Sequence, residues 1–340
     1  MLERLSNAFG VSGSEDEIRN ILKNEMSKTC NNITIDTMGN LICFKKGENG
    51  YKNSIMLSAH MDEVGFIVSG ITKEGYLRFK TVGGIDARVI VAKKVVFQTN
   101  QIKGVIGIRP PHLANDDKSQ SVNVSDLYID IGAKNETDAR KYIKEGDYAC
   151  FDSNFITFGN RLIKGKALDD RIGCFTLVEL SKFSYPHDIY FVFTVQEEVG
   201  CRGAAVAAYN VAPKAALVVE GTTCSDVPGT DEISFATRLG KGAAISLFDR
   251  ASYSDKGIVN ALVRSAKKNK LNYQFKQTTF GGNDAGAIHL SEKGIRTGVI
   301  SVPCRYIHSP SSVASVLDIE SCQNIVKNFL MSEVDEECNF

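Results

Sequence analysis

Four apolar runs constrain this chain more than any other feature. SIMLSAH (54–60), DIYFVFTV (188–195), AALVVEG (215–221) and TGVISV (297–302) are too apolar for a strand with one face in water. Each reads as a buried strand. A helical segment is expected over 170–182, and ESCQNIVKNFLMSEV (320–334) has the spacing of an amphipathic helix. Strands alternating with helices predict a layered α/β fold.

Residues 66 to about 159 have a different texture. Short β-like runs, GFIVSGI, YLRFKTV, KKVVFQT, IKGVIGI and LYIDIGA, follow one another with Gly, Asn and Asp between them. That pattern predicts a small all-β unit, and HLANDDKSQSVNVSD (112–126) reads as an exposed loop. The expected organisation is an α/β domain built from residues 1–65 and 160–340, with a β-rich domain, 66–159, inserted between them. Near the start, Ser14-x-x-Glu17 has the form of a capping box ahead of Ile18, Ile21 and Leu22. ITIDTMGNLICFKKG reads as a hairpin turning at Gly39-Asn40.

Lys plus Arg and Asp plus Glu both number 40, so the chain carries no net charge to attract nucleic acid or a membrane surface. No apolar run reaches the length of a membrane span, and MLERLSNAFG lacks the form of a secretory leader. The nine cysteines are scattered, with no CxxC pair. They read as reduced thiols in a cytoplasmic setting. Cys174, Cys201, Cys224 and Cys304 lie near the motifs below, but nothing in the spacing activates a thiol, and packing is their expected role.

The ends of the apolar runs carry the chemistry. His60 and Asp62 end the first, Glu197 and Glu198 are read as the last two positions of the second strand, where alternation would turn them to opposite faces, and Glu220 closes the third. His308 lies a few residues past the fourth, and Asp169-Asp170 open a helix. Taken singly, each has an ordinary explanation: a hydrogen-bonded histidine, a solvated strand end, a helix cap. Together they decorate five element ends, the places where open α/β sheets build their sites. Two imidazoles with several carboxylates suit zinc, cobalt or manganese, and the surplus of carboxylates suits a pair of ions sharing one of them. His112, His187 and His289 read as surface or structural residues.

In this order, SAHMDEVGFIV, KALDDRIG, VQEEVGCRGA, VVEGTT and YIHSP resemble the M42 family of metallo-aminopeptidases, the glutamyl, leucyl and deblocking enzymes that form tetrahedral particles. GGNDAGAIHL and AAISLFDR look like family segments too, with Asn283 where Thr is frequent. The resemblance spans essentially the whole chain. It implies two divalent ions per chain, zinc first, with cobalt or manganese as alternatives. His60 and Glu220 would bind one ion and Glu198 and His308 the other, with Asp169 bridging. Glu220 stands where many relatives have Asp. Asp62 would orient His60, and the Asp169-Asp170 peptide would be cis. Glu197 would be the general base and acid that activates a metal-bridging water. The substrates implied are peptides with a free N-terminus. The inserted domain, PDZ-like or barrel-like, would pair chains into dimers that build a dodecamer. Leu247–Arg250 is a candidate lining of the substrate pocket. The competing readings are a metal-dependent N-acyl amino acid deacylase, an endoglucanase, as some relatives are labelled, and a non-catalytic assembly protein.

Overall fold

The computed structural model describes residues 1–48, 54–110 and 122–332. Its larger part is built on an eleven-stranded sheet. The middle of that sheet is parallel. Asp188–Thr194, Ser54–His60, Ala215–Thr223 and Arg296–Arg305 lie side by side, with Thr194 opposite His60 and Glu220 opposite Ser301. These are the four apolar runs, and helices cover both their faces. Neighbouring side chains on a strand point to opposite faces, so Ile55 and Leu57 join one core while Met56 joins the other. The first core is closed by helices Asp16–Met26, Leu168–Leu180, Lys256–Lys268 and Val316–Met331. The second is closed by helix Arg202–Val211, whose Ala204, Ala207 and Ala208 allow close approach, and by the short helix Ala285–Ile288.

Antiparallel strands extend the sheet at both margins. Asn32–Ile35 and Leu41–Lys45 form the expected hairpin on one side. On the other lie Ser312–Ser315, Leu162–Gly165 and Ile156–Phe158. Between the first apolar strand and this margin the chain forms a closed barrel of six antiparallel strands. In barrel order they are Gly65–Ile71, Leu77–Val82, Leu127–Asp130, Lys103–Ile108, Lys94–Phe97 and Tyr148–Phe151. Closure leaves no unpaired edge. Phe66 fills its interior, edge-to-face with Phe79 and Phe151 at 5.3 and 5.2 Å between ring centroids.

Three local expectations are corrected. The Ser14-x-x-Glu17 capping box does not form: the helix starts at Asp16 with Glu15 at its cap, and the Ser14 hydroxyl donates instead to Gln98 on the barrel. Glu220 does not end its strand, which runs on to Thr223. Glu197 and Glu198 lie beyond their strand, which stops at Thr194, in a turn entered through Gln196 at a φ of 56°. Of the 112–126 loop, residues 112–121, and His112 with them, lie outside the described residues, and Val124–Asp126 form one turn of 3-10 helix.

Candidate metal centre

The parallel strands deliver the site residues at their carboxyl ends, and buried hydrogen bonds aim them. Asp62, fully buried, is the hub. Its Oδ1 accepts the backbone N–H of Glu197 at 3.0 Å, and its Oδ2 accepts that of Glu198 at 3.1 Å. The His60 Nδ1 lies 3.1 Å from the Asp62 carbonyl oxygen and 3.5 Å from its Oδ1. Asp62 thus sets the glutamate turn through its carboxylate and holds the histidine through its carbonyl oxygen, with Oδ1 facing the ring. The two glutamates diverge because of this pinned turn, not because of strand alternation.

The His60 Nε2 faces Asp169 Oδ1 at 3.4 Å and Glu197 Oε2 at 3.9 Å. The His308 Nε2 lies 3.2 Å from Glu198 Oε2 and 3.8 Å from the other Asp169 oxygen, Oδ2. Asp169 therefore presents one oxygen to each imidazole. His308 holds a φ of 57°, with its Nδ1 2.8 Å from the Gly84 carbonyl oxygen. The Asp169-Asp170 peptide is cis. Asp170 turns inward, accepting the His60 backbone N–H at 3.2 Å and that of Gly173 at 2.8 Å. Ligand atoms of His60, Asp169 and Glu198 all lie within 4.8 Å of one another.

Glu220 stands outside that tight group. Its Oε1 accepts from Asn283 Nδ2 at 3.2 Å and Ser301 Oγ at 3.3 Å. Asn283 also donates to Asp249 at 3.0 Å, so its amide links Glu220 to the Leu247–Arg250 segment. Nothing in the sequence marked Asn283 for that task. Sequence reasoning also missed Asp284. It is buried, accepts from Thr194 Oγ1 at 2.5 Å, and shares a 4.8 Å cluster with Glu197 and Cys201. The Cys201 thiol donates to Glu197 Oε1 at 3.5 Å, a contact beyond the packing role expected of it. A carboxylate inside a Gly- and Ala-rich segment, GGNDAGA, was the available signal. His187 and His289 bond to backbone oxygens, as structural histidines do.

The electrostatics are those of a crowded anionic pocket. Burial raises the Glu197 carboxyl to about 8, and Asp284, Asp62 and Asp169 add to it against the opposing pull of His60. Burial also holds Glu198, Glu220 and Asp170 well above the carboxylate range, with Asp169 adding in each case. For His60 burial pulls downward, but Glu197, Asp169 and Asp62 outweigh it and hold the imidazole well above its ordinary value. Burial pushes Asp62 up, yet His60, Ser12 and the Glu197 N–H outweigh it and leave the carboxyl low. Divalent cations fit this set. The donors are imidazole and carboxylate, and Glu198 Oε1 is buried without a hydrogen-bond partner. Gly221 keeps room for Asp169, because a Cβ there would come within 3.1 Å of the Asp169 Cα.

Comparison with known proteins identifies the family and the fold. The M42 glutamyl aminopeptidase family model matches residues 39–325. The fold superposes on a TET aminopeptidase from a marine-sediment Thaumarchaeota archaeon with a TM-score of 0.96, at 36% identity over 99% of this chain and 97% of that one. It also matches the TET1 peptidase of Pyrococcus horikoshii, described as assembling into a tetrahedron or a large octahedral shell, at 32% identity and a TM-score of 0.86 over 97% and 98% of the two chains. The glutamyl aminopeptidase of Lactococcus lactis is 31% identical over 97% of this chain and 95% of its own. The chain belongs to the M42 glutamyl aminopeptidase family.

Proposed function

We propose that this M42-family aminopeptidase removes N-terminal residues from peptides that carry a free α-amine, with Glu197 as general base and acid. The observation that supports the reading best is the position of Asp169, one oxygen toward His60 and the other toward His308, with Glu197 alongside. His60, Asp169 and Glu220 would hold one divalent ion, and Asp169, Glu198 and His308 a second. Zinc comes first among the candidates, and cobalt and manganese suit the same donors. When bound, such ions supply Lewis acidity to the attacking water and to the scissile carbonyl.

The chain's own groups do the rest. Glu197 takes the proton of the attacking water on its carboxylate and returns it to the leaving amine. In the metal-free site burial raises this carboxyl, and cations beside it would draw it down and leave it ionised to accept the proton. Asp62 keeps the imidazole of His60 and the turn bearing Glu197 and Glu198 in register. The protein shell around the side chains of Glu198, Glu220 and Asp170 excludes water and strengthens every charge interaction in the site.

The organisation we propose is a peptidase unit of residues 1–65 and 160–340 with residues 66–159 inserted for dimerisation. Dimers would build a dodecamer, an assembly supported by the likeness to the P. horikoshii TET1 peptidase. No helix among the described residues is long and apolar enough to cross a membrane. The described cysteines are all free, which supports a reducing, cytoplasmic setting.

A chelate-and-restore assay tests the activity. The protein is stripped, refilled separately with zinc, cobalt and manganese, and given aminoacyl chromogenic substrates, an N-acetylated peptide and a soluble cellulose. Metal-dependent release from the free-amine substrates alone is the expected result. Turnover of the acetylated peptide or of the glucan would contradict the proposal.

A further inference from the structure

Residues ahead of the segment matched by the family model also reach the centre. Ser12 is buried, and its Oγ donates to Asp62 Oδ2 at 2.6 Å, on the same oxygen that accepts the Glu198 N–H. Asp62 is thereby held from two directions: by the turn it aims and by a hydroxyl from the start of the chain.

That hydroxyl is itself rigidly placed. The Ser12 backbone N–H donates to the Glu63 carbonyl at 3.2 Å, the Glu63 N–H donates to Gly10 at 2.9 Å, and Val11 forms a parallel bridge with Glu63. The buried Glu63 carboxylate accepts from Lys166 at 2.6 and 2.8 Å and from Arg171 at 3.4 Å. Both cations also reach back to the N-terminal segment. Lys166 donates to the Ala8 carbonyl at 2.9 Å, and Arg171 donates to that of Leu5 at 2.6 Å. Lys166 and Arg171 flank Asp169-Asp170 in sequence. On the other side Phe9 and Val11 pack with Cys150 and Tyr148 of the barrel. Residues 5–12 are thus clamped to the loop carrying Asp62, to the helix start carrying Asp169, and to the barrel.

We propose that Ser12 is a positioning residue for peptide hydrolysis, its hydroxyl fixing the Asp62 carboxylate that aims Glu197 and Glu198 and faces His60. The inference rests on the roles proposed above for those three residues. A carboxylate in a buried site is oriented by the donors around it, and partners one shell out from metal ligands govern affinity by about 10- to 100-fold. Removing the Ser12 donor leaves Oδ2 with a single N–H and lets the carboxylate turn, loosening both of the elements it sets.

The test compares Ser12→Ala and Ser12→Thr in the full-length protein. Three quantities are read: zinc dissociation measured against a competing chelator, kcat and KM on a free-amine chromogenic substrate, and the thermal midpoint of the stripped protein. Ser12→Ala is expected to weaken zinc binding about tenfold and to lower kcat with KM little changed. Ser12→Thr, which keeps the hydroxyl, restores most of both. Wild-type zinc affinity and kcat in Ser12→Ala would overturn the inference. Equal losses in both variants that follow the thermal midpoint would overturn it too, because the serine would then serve packing alone. Glu197→Gln run in parallel separates the two levels. If it is inactive while Ser12→Ala behaves as wild type, only the Ser12 inference falls; if it is fully active, the reading of the base falls instead.

Discussion

Asp62 accepts the backbone N–H of Glu197 at 3.0 Å, so the orientation of the proposed base depends on a residue that never needs to touch substrate. The same carboxylate sits 3.5 Å from the His60 ring. Asp62→Asn puts an NH2 where one of the two accepting oxygens now stands, against the Glu197 N–H in one orientation and the Glu198 N–H in the other. The expected result is metal affinity lower by about 10- to 100-fold, together with a lower kcat. Metal titration followed by steady-state kinetics checks it, and an unchanged affinity would remove Asp62 from its orienting role.

The two histidines are expected to differ in degree. His60 has 4% of its side chain exposed and His308 31%. His60→Ala opens a buried hole in the carboxylate cluster, whereas His308→Ala removes a group at its rim. Both should lower the metal content found by elemental analysis, His60→Ala the more severely. Full occupancy in either variant would strike that residue from the ligand set.

Gly221 leads to a sharper steric prediction. A Cβ there would meet the Asp169 Cα, Cβ and Oδ1, each at 3.1 Å, so Gly221→Ala must push Asp169 aside by a few tenths of an ångström. Small misplacements of reacting groups are costly, and kcat should fall about tenfold or more. Kinetics on the metal-saturated variant would show it, and wild-type turnover would mean that Asp169 tolerates displacement.

The metal-free protein should depend on pH in a definite direction. Glu197 is raised to about 8 and Asp284 to about 6, both by burial first, so the folded state holds protons that the unfolded chain releases near its ordinary carboxylate values. A carboxyl raised by folding contributes its stability at low pH and loses it as pH rises through the folded value. His60, also raised, adds in the same direction. Asp62 is lowered, so its contribution is lost only under acid, outside this window. The thermal midpoint of the stripped protein should therefore fall between about pH 5 and 8. Bound cations replace those protons and should flatten the profile. A stripped protein whose midpoint rises across that range would contradict the account.

Much of this was legible in the sequence because burial is written in composition. A strand covered on both faces has to be apolar throughout, so Ser54–His60 and Asp188–Thr194 stood out, and so did the polar residues just past them. The small all-β unit was legible from quick alternation with Gly, Asn and Asp between runs, whereas its closure into a barrel depends on strand pairings distant in sequence. What stayed hidden depends on contacts distant in sequence. Ser14 matched a local capping rule, but its hydroxyl found Gln98, 84 residues away. Ser12 and Asp62 are 50 residues apart, and Thr194 and Asp284 are 90 apart. The Glu197-Glu198 turn reads as strand because nothing in VQEEVG announces the left-handed residue at Gln196.

The most direct test of the central claim is Glu197→Gln, with metal content and turnover measured on the same preparation. Glu197 is proposed to stand beside the metal ligands without being one of them. The variant is expected to hold as much metal as the wild type, with kcat lower by about 100-fold or more. Full activity in that variant would contradict the assignment of the base, and loss of the metals with the activity would show Glu197 to be a ligand instead.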